Sequence, residues 1–262
     1  MSSQPRVLLL GGHGKVSQLL TPLILSRNWH LTSVIRDRAQ EPTITALAPS
    51  SHVQNLDVLV FSVEDSHAEA KSIIASTKPD YVVWSAGAGG KGGPERTKAV
   101  DQVAAIAFIK AAAEEGSGVS KFLLVSYVGS RAKKAPWWSE EEWKASQDGN
   151  NGALRNYYPA KLAADRVLTA AGRKRGNGFA AICLRPGSLG DEEEEGLVSL
   201  GKTNARGKIS RSDVARVAAE LLDRVGRSCW LDLLEGEEKI KDAVERCVRE
   251  GVDTVEGEDV EG

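Results

Sequence analysis

Val7-Leu8-Leu9-Leu10-Gly11-Gly12-His13-Gly14-Lys15-Val16-Ser17 is the stretch that decides the fold. The unbroken apolar run over 7–10 reads as a strand buried on both faces, since a half-buried strand alternates. It feeds directly into a glycine turn and then an apolar helix over 15–27. Gly11 permits a tight turn and Gly14 lets backbone approach an anion, while the helix beyond aims free N–H groups and its positive dipole end at the same place. That arrangement suits the pyrophosphate of a dinucleotide, with Gly11, Gly12, His13, Gly14, Lys15 and Val16 as candidate contacts. His13 and Lys15 either reach phosphate or point into solvent. Ser17 stands in place of a third glycine, which sets helix and strand slightly farther apart.

Outward from this turn the same alternation repeats. Apolar runs predict strands at 7–11, 31–36, 58–63, 81–85, 121–126, 180–184 and 229–233, with helices between them at 15–27, 66–77, 97–115, 157–173, 212–224 and 237–250. In the last helix Ile240, Val244, Cys247 and Val248 recur at helical spacing, and Ser210 reads as the start of the one before it. Strands alternating with helices build a parallel sheet covered on both faces, so the expected fold is a Rossmann-like, doubly wound α/β domain of six to seven strands.

At 262 residues one such core needs no disulfide or metal staple, so a single domain over 1–262 is expected. A net charge of -2 leaves no basic footprint for nucleic acid. Cys183, Cys229 and Cys247 are odd in number and form no CxxC pair, which points to a reduced compartment and no metal site. Residues 1–5 carry no leader pattern and no run approaches the roughly 20 apolar residues of a membrane span, so a cytoplasmic protein is expected.

Three stretches break the rhythm. Residues 128–156 contain Trp137, Trp138 and Trp143 and read as an insertion packed over something. The three indoles either cover a flat apolar substrate or form the insertion's own core. Residues 190–207 hold an acidic run over 191–195 and two glycines, Gly201 and Gly207, and read as a mobile flap whose acids are solvated. The acidic tail over 253–262 is expected to fray.

At the end of the second strand, Val34-Ile35-Arg36-Asp37-Arg38 places a base where an acid would bond the ribose 2′-hydroxyl of NAD. Arg36 favours a 2′-phosphate and hence NADP, because a guanidinium meets phosphate with a charge-assisted pair of hydrogen bonds. Asp37 is the competing signal, but an adjacent residue points to the other side.

Further motifs fall at the carboxyl ends of later strands, where open α/β sheets bind ligands. They are Ser85-Ala86-Gly87-Ala88-Gly89, Ser126, the Tyr157 and Lys161 pair in Tyr-x-x-x-Lys spacing, and Arg185-Pro186-Gly187. With these the chain resembles the short-chain dehydrogenase/reductase superfamily over residues 5–225, and more closely its atypical branch of small NAD(P)-binding, epimerase- or dehydratase-like proteins. Residues four apart on a helix share a face, and a phenol with a pKa near 10 needs a neighbouring cation to work at neutral pH. The resemblance implies that Tyr157 exchanges a proton with a substrate oxygen and that Lys161 steadies the phenolate and holds the nicotinamide ribose. It also implies that Ser126 orients substrate and that Ala86, Gly87, Ala88 and Pro186 join the cofactor contacts. Tyr127 follows Ser126 where a second serine is common, so the serine role either is absent or passes to Ser130. Ser62 stands where relatives place an acid near adenine, leaving Glu64 or Asp65. The implied function is an NADP-dependent oxidoreductase acting on a small carbonyl or conjugated substrate, possessing an apolar or aromatic character that the tryptophans would suit. The alternatives are an epimerase or dehydratase that retains its cofactor, and a non-catalytic NADP-binding redox sensor.

Overall fold

The computed structural model describes residues 4–64, 67–193 and 195–260. Asp65 and part of the acidic run, Glu194, lie outside the described residues. The first strand, β1 (Arg6–Leu10), runs beside β2 (His30–Ile35) on one edge and β4 (Tyr81–Trp84) on the other, parallel to both. Beyond β2 lies β3 (Leu56–Val60), and beyond β4 come β5 (Lys121–Val125), β6 (Ala180–Pro186) and β10 (Cys229–Glu235), all parallel. The chain therefore crosses from one half of the sheet to the other in passing from β3 to β4, and the crevice at the carboxyl ends of the neighbours β1 and β4 is where such sheets take ligands.

Both faces of β1 are buried, as its unbroken apolar run requires. Val7 and Leu9 pack with residues of α1 (Lys15–Leu25), α8 (Arg211–Arg224) and α9 (Ile240–Glu250). Leu8 and Leu10 pack with α3 (Ala70–Thr77), α5 (Ala105–Ala112) and α7 (Tyr157–Arg175) on the other side. Short helices α2 (Glu41–Thr45) and α4 (Gly93–Thr97) complete the first half, and a π-helical segment, Lys98–Ala104, joins α4 to α5. Ser210 caps α8 by accepting from the Asp213 N–H, as the sequence suggested. No helix among the described residues is long and apolar enough to cross a membrane.

The structure departs from the sequence-based expectation at four places. The main sheet has nine strands rather than six or seven, because β8 (Leu197–Gly201) adds antiparallel to β10 and the two-residue β11 (Glu238–Lys239) adds to β8. Residues 190–207 are thus not a free flap: Val198 and Leu200 point into the core, and β7 (Ser188–Gly190) pairs with β9 (Lys208–Ser210). The third strand ends at Val60, which frees Phe61, Ser62 and Val63 to line a cleft. The tail does not fray through residue 260. Asp253 accepts from the Trp230 N–H, Thr254 donates to the Trp230 carbonyl, and Val260 is buried in the core.

The tryptophan-rich stretch contains α6 (Glu140–Asn151), started by a Ser139/Glu142 capping box. Trp137 and Trp138 both donate their indole N–H to the Thr203 carbonyl, at 2.9 and 2.8 Å, and pack with Trp143, Val128 and Ala205. The indoles form the core of the insertion rather than an open wall.

Candidate functional site

The glycine turn is shaped by contacts on both sides. Gly11 has a φ of +86°, and a Cβ there would stand 2.6 Å from the Ala86 Cα, so the turn and the loop after β4 touch backbone to backbone. Gly12 donates to the Val34 carbonyl at 2.8 Å, and a side chain on it would collide with the Ser33 hydroxyl. Gly14 donates to Gly11 at 2.8 Å and leads into α1, whose first turn carries neither a capping side chain nor an acid. Its leading N–H groups are open by helix geometry. Ser17, where a third glycine was missing, is fully buried with its hydroxyl unpartnered. A bare helix start, a glycine cradle and an orphaned hydroxyl fit a pyrophosphate.

From this turn a cleft of about 410 Å³ runs across the carboxyl ends of β1, β2, β3 and β4. Of the residues singled out as cofactor contacts, Gly11, His13, Gly14, Lys15, Arg36, Ala86, Gly87 and Ala88 line it. Gly12 and Val16 instead face the fold's interior, and Pro186 accepts from the Val128 N–H in a buried position off the cleft wall. Lys15 is paired at its tip with Asp191 at 2.5 Å, and Asp191 also takes Arg211 at 2.7 Å. The lysine holds the Asp191 carboxyl below its ordinary value.

Arg36 stands on the rim, its Nη1 3.7 Å from Glu64 Oε1. Glu64 in turn is gripped by Arg96, whose Nε donates at 2.9 and 3.0 Å and whose Nη2 donates at 2.5 Å. Those bonds pull the Glu64 carboxyl below the usual carboxylate range. Asp37 caps the following turn through the Ala39 N–H and is not on the cleft wall. Sequence reasoning found Arg36 and named Glu64, but missed Arg96. Nothing local marks a residue whose partner is 32 positions away.

Tyr157, Lys161 and Ser126 are not among the residues that line this cleft; Tyr157 opens α7, with Lys161 one turn on. Lys161 is buried, donates to the Val125 carbonyl at 2.7 Å, and stands 5.9 Å from the centre of the Tyr157 ring. Burial pushes the phenol well above its ordinary value, and the Asp101 and Asp165 carboxylates push it further. Tyr157 stacks on Tyr127 with ring centres 5.2 Å apart, and its hydroxyl has no hydrogen-bond partner among the described residues.

Ser126 and Ser130 do not choose between themselves. Both donate to Oδ2 of Asp165, at 2.7 and 2.6 Å, deep in the protein. Ser126 can therefore meet a ligand only as an acceptor while that bond lasts. Arg185, from the Arg-Pro-Gly motif, is likewise inward. It bonds Asp232 at 2.8 Å, reaches Asp165 at 3.4 Å and covers the Trp230 ring.

Asp101, on the π-helical segment, was not foreseen. It is buried, accepts from the Ala88 N–H at 3.0 Å, and ties the cleft wall to the surroundings of Lys161. Burial raises its carboxyl, and the Lys161 charge opposes the rise.

The profile of the NAD(P)H-binding family matches residues 11–224. An uncharacterized sugar epimerase of Bacillus subtilis, YhfK, is 31% identical over 92% of this chain and 99% of its own length. A solved structure from Bacillus halodurans, classed with NAD-dependent epimerases/dehydratases, is 28% identical with a TM-score of 0.72, covering 92% of this chain and 99% of that one. ChuY, an anaerobillin reductase of Escherichia coli, shares the fold at 20% identity, with a TM-score of 0.65 over 89% of this chain and 98% of that one. The matched stretch begins at Gly11, the first residue of the glycine turn. The chain belongs to the NAD(P)H-binding family.

Proposed function

We propose that the protein is an NADP-dependent oxidoreductase that moves a hydride between nicotinamide and a small carbonyl or conjugated substrate. The observation that carries the cofactor preference is Arg36, a base on the rim of the cleft that begins at the phosphate turn. Bound cofactor would supply or accept the hydride. The chain's own part is to hold the pyrophosphate at Gly11, Gly14 and the start of α1, and to present the Tyr157 hydroxyl, unpartnered among the described residues, for proton exchange with a substrate oxygen. Lys161 sets its Nζ 5.9 Å from the centre of that ring, and Ser126 offers an acceptor. Three buried, unpaired cysteines suit a reducing, cytoplasmic setting. A small-molecule substrate, apolar or aromatic, is the proposed partner.

Calorimetric titration of NADPH and NADH tests the cofactor half of this reading. The expected gap is about ten- to a hundredfold in favour of NADPH, the value of a charge-assisted contact, and Arg36→Ala should narrow it. Equal affinities in the unmutated protein overturn the preference. Screening aldehydes, quinones and nucleotide sugars then separates the reactions: net oxidation of NADPH marks a reductase, and product without net oxidation marks an epimerase or dehydratase. The latter is favoured by the likeness to the Bacillus subtilis sugar epimerase.

A further inference from the structure

Beside the base that selects for a 2′-phosphate stands an acid that opposes it. We propose that Glu64 is a built-in counter-ion that limits how far the protein favours NADPH over NADH. The inference rests on the NADP reading of Arg36 and adds a second determinant to it. Glu64, Arg36 and Arg96 all line the cleft where it passes the ends of β2 and β3. Their formal charges sum to one positive charge, so a phosphate arriving there meets two guanidiniums and one carboxylate.

The two arginines are held very differently. Arg96 forks onto Glu64 and also donates to the carbonyls of Ala88 and Lys91, at 3.1 and 3.4 Å, so its donors are committed to the wall. Among the described residues Arg36 has only the 3.7 Å contact with Glu64, and its side chain is 58% exposed. Arg96 is thus a positioning residue for the carboxylate, and Arg36 is the group free to turn to a ligand. Glu64 side-chain exposure is 27%, which leaves its charge less screened than a fully solvated acid. A carboxylate within a few ångströms of an incoming dianion repels it, while an uncharged ribose hydroxyl feels no such penalty. The charge therefore acts on one cofactor and spares the other.

Glu64→Gln keeps the length, the shape and one amide oxygen that accepts from Arg96, and removes the charge together with the weaker of the two acceptor contacts. In the full-length protein at low salt, NADPH should bind about three- to tenfold more tightly to this variant, from the loss of one repulsion at short range. NADH should stay within about twofold. The NADPH gain should shrink as salt rises, and Glu64→Asp, which keeps the charge, should return the gap toward its starting value. Thermal unfolding of each variant checks that the fold is intact. Equal tightening of both cofactors, no change, or weakening of both overturns the proposal, and weakening of both would mean that Glu64 instead bonds adenosine directly. Failure of the underlying reading has a different signature: NADPH and NADH bind the unmutated protein equally and Arg36→Ala moves neither. A gap present in the unmutated protein and left unwidened by Glu64→Gln fails the counter-ion alone.

Discussion

A phenol raised by burial is a better keeper than giver of protons, and this sets what Tyr157 can do. As the neutral phenol it can donate to a developing alkoxide, so reduction is the direction the residue serves at neutral pH. Removing the hydroxyl with Tyr157→Phe should lower turnover about a hundred- to ten-thousandfold while NADPH affinity stays within a few fold. The pH dependence has a definite sign. A pKa above the ordinary value keeps the acid form present as pH rises, so kcat/KM for reduction should show no falling limb from this residue between about pH 7 and 9.5. A limb centred near neutrality in the unmutated protein, absent from Tyr157→Phe, would mean that bound cofactor or Lys161 reverses the effect of burial. Normal turnover by the phenylalanine variant would end the assignment. Legibility at this scale followed locality. Gly11 and Arg36 were readable because a positive φ and a base at a strand end are properties of their own neighbourhoods. Asp101, Asp165 and Arg96 were not, since each gains its meaning from groups brought near by folding.

At the scale of elements, α7 and β6 are joined by charge rather than by apolar packing alone. Arg185 of β6 is fully buried and also donates to the carbonyls of Ser130 and Val128, at 2.9 and 2.8 Å. Through Asp165 it supports α7, and through Asp232 it supports β10. Burial alone would drive both carboxyls up; the guanidinium between them opposes that. Replacing Arg185 with methionine strands two buried acids, at a cost of about 3–5 kcal/mol for a broken buried pair. With roughly 2–4 °C per kcal/mol for a domain of this size, the melting temperature should fall on the order of 10 °C, read by calorimetry. A shift of less than about 2 °C would show that the acids simply take up protons at no cost. The Arg-Pro-Gly motif was visible in sequence, and its position after a strand suggested a ligand contact. Its arginine instead points inward, a distinction that strand pattern cannot make when every residue of the strand is buried. The strands themselves were legible because parallel strands are apolar throughout. Short edge strands such as β11 were not, because two polar residues carry no period.

At the scale of the whole molecule, the C-terminal segment closes a circuit that composition hid. Its acids suggested a solvated end, yet its backbone carbonyls are what the protein uses. Arg131, fully buried, donates to the carbonyls of Thr254 and Glu256 at 2.6 Å each and lies against the rings of Trp137 and Trp138. Burial and the nearby Arg185 charge pull its pKa down to about 10. The strap thus joins the tryptophan insertion to the sheet through one guanidinium. Truncation after Val252 would take away the main acceptors of that guanidinium while Trp137 and Trp138 still lie against it. An unmet buried donor costs about 1–3 kcal/mol, and more when charged, so the truncated chain should melt on the order of 10 °C lower. The loss should not spread evenly. Among the described residues no hydrogen bond or ion pair joins the phosphate turn to the strap, so NADPH affinity measured well below the melting point should change less than about threefold, under 0.7 kcal/mol. Arg131→Met supplies the check if truncation alone leaves too little folded protein. In the shortened chain it removes the stranded charge and should restore part of the lost stability, whereas in the full-length protein the same change should destabilise. A truncated chain that melts at the original temperature, or a methionine that acts alike in both backgrounds, would show that the strap is only resting on the sheet.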